Sequence, residues 1–104
     1  MKKLLLGLFL LSTAPVYASG PATLYWTIPA FNTDGTVLTN LKGYKIYYSH
    51  NASNLWKMLN VTDITETSLQ INNLGKGTWY FGIRAYNTAG NKSDLSNIVS
   101  KVIL

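Results

Sequence analysis

Between Leu74 and Gly90 the chain reads L-G-K-G-T-W-Y-F-G-I-R-A-Y-N-T-A-G. Trp79, Phe81, Ile83 and Ala85 fall on one face, and Tyr80, Gly82, Arg84 and Tyr86 on the other. Side chains alternate across a strand, so this period-two run predicts a half-buried β-strand. Its bounds are the turn signals Gly75-Lys76-Gly77 and Asn87 to Gly90. The same pattern recurs along the chain. Ala22, Leu24, Trp26 and Ile28 alternate with Thr23, Tyr25 and Thr27 until Pro29 stops the run. After the Asn32-Thr33-Asp34-Gly35 turn cluster, Leu41 to Ser49 forms the next strand, with Tyr44, Ile46 and Tyr48 on one side and Lys45 and Tyr47 on the other. Trp56 to Val61 is a shorter run, and Thr67 to Ile71 alternates with Leu69 and Ile71 inward. The last strand spans about Ser96 to Ile103, where Ile98 and Val99 compete for the inward position. No helical period occurs after the first 18 residues, and there is no internal repeat or low-complexity segment. Short strands separated by turns every 8 to 12 residues or so describe an all-β, antiparallel, immunoglobulin-like sandwich.

The first 18 residues have a different character. Lys2 and Lys3 precede the apolar Leu4 to Leu11, followed by small residues that end Val16-Tyr17-Ala18. This is the pattern of a secretory signal peptide cleaved after Ala18. The apolar run is far shorter than the roughly 20 residues of a spanning helix. The expected product is a single domain from Ser19 to Leu104, secreted to the periplasm or the exterior, with no membrane insertion after cleavage. The short Lys-bearing leader suggests a bacterial or phage source. The chain has no cysteine, so no disulfide braces the fold and packing must hold it. Each large apolar side chain buried contributes on the order of 1.5–3 kcal/mol. Loss of Lys2 and Lys3 lowers the nine basic residues to seven against four acids, and the net charge from +5 to +3. The remaining cations are scattered singly, without the clustered run that follows a nucleic-acid backbone, so no nucleic-acid partner is expected.

The order of motifs resembles the fibronectin type III family. The matching residues are L-x-W at Leu24 to Trp26, Y-K-I-Y-Y at Tyr44 to Tyr48, Leu74 followed by G-T-W-Y-F-G-I-R-A-Y-N and the Gly90 turn, and S-N-I-V-S-K at Ser96 to Lys101. They are most similar to the single-domain bacterial and phage versions, which carry an N-T-D-G-T insertion after the first Trp strand. The resemblance implies a fibronectin type III β-sandwich acting as a binding module, to which the residues above contribute six or so strands. Two departures follow from it. Only seven residues lie between the cleavage point and Trp26, so the first strand is expected to be short or missing, leaving a sheet edge poorly covered. The family's tyrosine-corner position falls on Trp79, where either the indole N–H or a shifted Tyr80 must replace the hydroxyl.

Catalytic residue types are sparse. His50 is the single histidine, and a surface turn accounts for it; metal sites need several converging ligands. Asp63 and Glu66, three apart, could form a carboxylate pair, and Asp34 could contribute to a calcium site, but ordinary turn chemistry explains both. Gly75-Lys76-Gly77 is too short to cradle phosphate. The sequons at Asn51, Asn60 and Asn91 matter only in a eukaryotic secretory route, and the integrin-type Arg-Gly-Asp motif is absent. No enzyme activity, metal or cofactor is therefore expected.

The best candidate is a surface. If Trp79, Phe81 and Ile83 point inward, Tyr80, Arg84 and Tyr86 point outward, and Lys45 and Tyr47 do the same on the neighbouring strand. Tyr and Arg are enriched at binding hot spots, although Tyr also favours strands for its own reasons. The expected partner of this Lys45, Tyr47, Tyr80, Arg84 and Tyr86 face is a protein or a cell-surface glycan. The expected alternative is a structural subunit whose sheet is completed by a strand from a partner, or a homo-oligomer through the exposed edge.

Overall fold

The computed structural model describes residues 12–13, 20–32 and 34–103. The expected leader, residues 1–18, lies outside the described residues except for Ser12 and Thr13, as does Thr33 of the turn cluster. Among the described residues seven strands follow one another: β1 (Ser12–Thr13), β2 (Gly20–Tyr25), β3 (Leu41–Ser49), β4 (Lys57–Val61), β5 (Ser68–Leu74), β6 (Gly77–Asn87) and β7 (Val99–Ile103). They form a three-stranded sheet, β1-β2-β5, and a four-stranded sheet, β4-β3-β6-β7, with every neighbouring pair antiparallel. No helix occurs among the described residues.

The alternation in the sequence becomes the core. Ala22, Leu24 and Trp26 from one sheet meet Tyr44, Ile46, Trp79, Phe81, Ile83 and Ala85 from the other, closed by Val61, Ile71, Leu74 and Ile103. The Trp26 and Tyr44 rings pack with centroids 5.4 Å apart at a tilt of 58°. Burial pushes the Tyr44 phenol toward higher pKa, and the nearby Trp26 indole opposes this without meeting hydrogen-bonding geometry. The Tyr44 hydroxyl donates to the Ile64 carbonyl at 3.3 Å.

Both edges of the four-stranded sheet carry an inward-pointing lysine. Lys57 on β4 tucks its ammonium between the Trp56 and Trp79 rings, 5.3 Å from each centroid. Lys101 on β7 is buried and donates to the Pro21 carbonyl at 2.8 Å, tying β7 to the start of β2. A charge turned inward at an edge discourages pairing with another chain.

Several details depart from simple alternation for local reasons. Asn73 is left-handed (φ 62°), so β5 buries Ile71 and then Leu74, three residues on. In β7 it is Val99 that turns inward, beside the buried Lys101 and Ile103, while Ile98 lies on the outer face against Gly82. At the tyrosine-corner position the indole serves: Trp79 Nε1 donates to the Gly75 carbonyl at 2.8 Å.

β7 pairs only with the first half of β6, from Gly77 to Phe81. Beyond it, segment 92–98 runs along β6 and completes its ladder with serines. Ser93 N donates to Ala85 O and Ser96 N to Ile83 O, both at 2.9 Å. In return the Ser93 and Ser96 hydroxyls accept the Ala85 and Ile83 N–H groups at 2.8 and 2.9 Å. Ser93 is almost fully buried. Ser93→Ala leaves the Ala85 N–H unpaired in the interior and should lower stability by about 1–3 kcal/mol, measured by denaturant unfolding against Ser100→Ala, an exposed serine.

Candidate functional site

The outer face of the four-stranded sheet is set by the β3–β6 register. Lys45 sits opposite Arg84, Tyr47 opposite Gly82, and Gly43 opposite Tyr86. Two like charges facing each other across a strand pair repel. Here each cation leans diagonally onto a ring. Lys45 Nζ lies 5.5 Å from the Tyr86 centroid, and Arg84 Cζ lies 5.9 Å from that of Tyr47. Arg84 also donates to the Ser93 carbonyl at 2.7 Å, so it anchors segment 92–98 and still has guanidinium donors to spare. Tyr86 lies over Gly43, where a Cβ would meet its hydroxyl at 2.7 Å and the Val61 carbonyl at 2.6 Å.

Lys45, Tyr47, Arg84 and Tyr86 are thus brought into one half-buried cluster. Tyr80, also half-buried, stands apart beside Ser49 and Ser100. Between them Leu95 and Ile98 cover Gly82, whose added Cβ would lie 2.9 Å from Leu95 Cδ1 and 3.1 Å from Ile98 Cδ1. The cover also builds a wall. Tyr47, Arg84 and Leu95, with Ser53, Asn54 and Leu55 from the β3–β4 loop, enclose an open cleft of about 270 Å³. Trp56, which alternation alone could assign to the face or to the core, is the most exposed aromatic ring among the described residues, at 68%. It has the same strand parity as the exposed Met58, the one sequence signal that points it outward.

The remaining candidates are engaged locally. His50 is exposed, as a turn histidine should be, but its ring lies against Trp79 (centroids 3.8 Å apart), and its Nδ1 meets the Thr78 carbonyl at 2.9 Å. A carbonyl only accepts, so Nδ1 carries the proton. Asp34 Oδ1 accepts from Thr36 N at 3.0 Å and Thr36 Oγ1 at 2.6 Å. Asp63 repeats the arrangement with Thr65 at the same two distances. Among the described residues no three His, Cys, Asp or Glu side chains converge.

The Thr65 hydroxyl, and then its backbone N–H, hold the Asp63 carboxyl below the usual carboxylate range. A depressed folded-state pKa means the contribution is present above the unfolded-state value and is lost as pH falls through the folded-state one. Thr65→Val removes the stronger donor. Asp63 should then titrate closer to an ordinary carboxyl, and the acid-side loss of thermal stability should shrink. Carboxyl-carbon NMR titration with melting curves at neutral and acidic pH checks both.

A family model described as fibronectin type III domain matches residues 11–102. Among curated proteins nothing matches. Of solved structures, the chicken CNTN1 FN1–FN3 domains superpose with a TM-score of 0.69 at 19% identity, covering 89% of this chain and 30% of that one. The third fibronectin III domain of the human KIAA0343 protein gives 0.62 at 19% identity, covering 89% and 78%. The Clostridium perfringens spore cortex lytic enzyme SleM gives 0.53 at 17% identity, covering 89% and 26%. The chain therefore spans under a third of the CNTN1 and SleM structures, and at these identities the likeness is one of fold.

Proposed function

The chain belongs to the fibronectin type III family, whose domains commonly serve as binding or structural modules, and on that premise we propose that it is a secreted, non-catalytic binding module. It acts at a bacterial envelope or on a phage particle, where it engages a protein or a surface glycan. The contact is the outer face of the four-stranded sheet, centred on Tyr47 and Arg84. The observation that carries this reading is the cleft of about 270 Å³ in which Tyr47, Arg84 and Leu95 meet the β3–β4 loop. A ring and a guanidinium already packed together lose little side-chain freedom on binding, which is how Tyr and Arg become hot spots. The exposed Trp56 and Met58 extend the same edge. Against an enzyme stand Asp34 and Asp63, whose carboxylates each cap their own turn.

Tyr47→Ala removes the ring while the core residues beneath stay in place. It should weaken binding by about 2 kcal/mol, read by surface-immobilised full-length chain against an envelope-protein fraction and a glycan array. Unchanged affinity in the folded variant rejects this face. Tyr86 is a poorer probe, because its ring covers Gly43.

One observation favours a second reading, a subunit completed by strand donation. β1 pairs Ser12 with Tyr25 and Thr13 with Leu24, so cleavage after Ala18 would strip β1 from the β2 edge. The inward lysines guard β4 and β7 and leave this edge without that protection. On this reading residues 19–104 self-associate, or melt well below the full chain, in sedimentation and thermal unfolding. A stable monomer of residues 19–104 contradicts it.

A further inference from the structure

A second cleft, of about 410 Å³, lies at the other end of the β3–β6 pair, between segment 30–40 and the turn at 87–91. Its volume falls within the roughly 300–1,000 Å³ of small-molecule sites. Both walls are internally bonded turns. In one, Asn32 N donates to Thr36 O at 2.8 Å and Leu38 N to Ala30 O at 2.9 Å. In the other, Asn87 N donates to Asn91 O at 3.0 Å and Gly90 N to Asn87 O at 3.1 Å. Thr88 N, donating to Asn40 O at 3.0 Å, joins the two walls.

The floor holds two buried carboxamides whose orientation is fixed by their neighbours. Asn87 is only 3% exposed. Its Oδ1 accepts the Ala89 and Asn91 N–H groups at 3.1 and 3.0 Å. Because the oxygen must face those donors, the NH₂ end is left to the cleft that Asn87 lines, with no acceptor among the described residues. Asn32, 7% exposed, is turned the opposite way. Its Nδ2 donates to Thr36 Oγ1 at 3.0 Å and to the Val37 carbonyl at 3.4 Å, which leaves Oδ1 as an acceptor. Neither end is sealed from solvent, since Trp26 Nε1 is the one buried side-chain polar atom without a partner among the described residues, so a ligand hydroxyl would take the place of water at both.

From this geometry we propose that the cleft between segment 30–40 and the 87–91 turn binds a neutral saccharide through the Asn87 NH₂ and the Asn32 carbonyl, with Asn91 and Thr39 at its rim. The lining contains no charged side chain, so an ionic ligand would be desolvated there without a counter-charge. A hydroxyl both donates and accepts, and vicinal hydroxyls on one ring can meet a fixed donor and a fixed acceptor together. Val37 and Ala89 supply apolar surface for the C–H face of the ring. The site is distinct from the Tyr47 and Arg84 face and does not depend on it.

The test is titration of the isotope-labelled full-length chain, followed by backbone and side-chain amide NMR. Maltotriose and di-N-acetylchitobiose are the neutral probes, a sulfated disaccharide the anionic one, and tetraglycine the peptide. A neutral sugar should shift the Asn32, Asn87 and Asn91 amide signals saturably at millimolar concentration. Asn87→Asp keeps an oxygen for the Ala89 and Asn91 N–H groups, but it replaces the outward donors with an acceptor and puts a negative charge in the uncharged cleft. It should fold and bind at least about tenfold more weakly. Asn91→Ala, which keeps the backbone bonds of the turn, should weaken binding several-fold and serves if Asn87→Asp fails to fold. Four results overturn the proposal: no neutral probe shifts these signals, only the peptide or the sulfated sugar does, the shifts centre on Tyr47 and Arg84, or the folded variants bind unchanged.

Discussion

The structure depends on β6 being covered on both faces. Inward, Trp79, Phe81, Ile83 and Ala85 are all buried against β2 and β3. Outward, Gly82 is the position where the strand has no side chain, and Leu95 and Ile98 settle onto it. A strand with one wet face would need only alternation. This one also requires a glycine at its centre and a segment to lie over it. The chain has no cysteine, so no disulfide adds to this second layer of packing, which holds Leu95 and Ile98 of segment 92–98 against the strand.

That same cover shapes the proposed binding surface. Leu95 forms one wall of the cleft that contains Tyr47 and Arg84, and Arg84 holds the cover in place through the Ser93 carbonyl. Packing and the proposed binding surface therefore share residues in the four-stranded sheet. At the far end of the same strand Asn87 closes β6, caps the 87–91 turn with its oxygen and turns its NH₂ toward a different cleft. One strand thus positions residues for both surfaces.

What was legible in the sequence is what depends on alternation. Leu41–Ser49 emerges as a strand with the expected bounds, and Tyr44, Ile46, Trp79, Phe81 and Ile83 all turn inward. The family resemblance paired the strands of Tyr47 and Arg84 in one sheet and put Trp79 at the tyrosine-corner position, leaving open whether its indole or a shifted Tyr80 replaces the hydroxyl; the Trp79 Nε1 bond to Gly75 O decides for the indole. What alternation cannot encode is a side chain standing in for backbone. Ser93 and Ser96 look like loop serines in N-K-S-D-L-S-N, yet they complete the β6 ladder. The register of β7 was undecided because Ile98 is apolar for a reason outside the core, its contact with Gly82. Of the five face residues, four cluster and Tyr80 does not, because the cover over Gly82 comes from a segment the strand pattern does not describe. The Asn32–Asn87 cleft was invisible because its walls are far apart in the sequence and meet at the Thr88–Asn40 bond and the Leu41–Asn87 end of the β3–β6 ladder.

Native-state hydrogen exchange tests the two-sided burial of β6 most directly. Amides of local openings exchange early, whereas those of the cooperative core exchange only when the whole domain unfolds. The Ile83 and Ala85 N–H groups are the decisive probes, since serine hydroxyls rather than a strand hold them. If segment 92–98 is an integral layer, they exchange as slowly as the Phe81 N–H in the strand-paired half. If they exchange orders of magnitude faster while Phe81 stays protected, the cover opens independently. β6 is then buried on one face only, and the cleft at Tyr47 and Arg84 lacks a fixed wall.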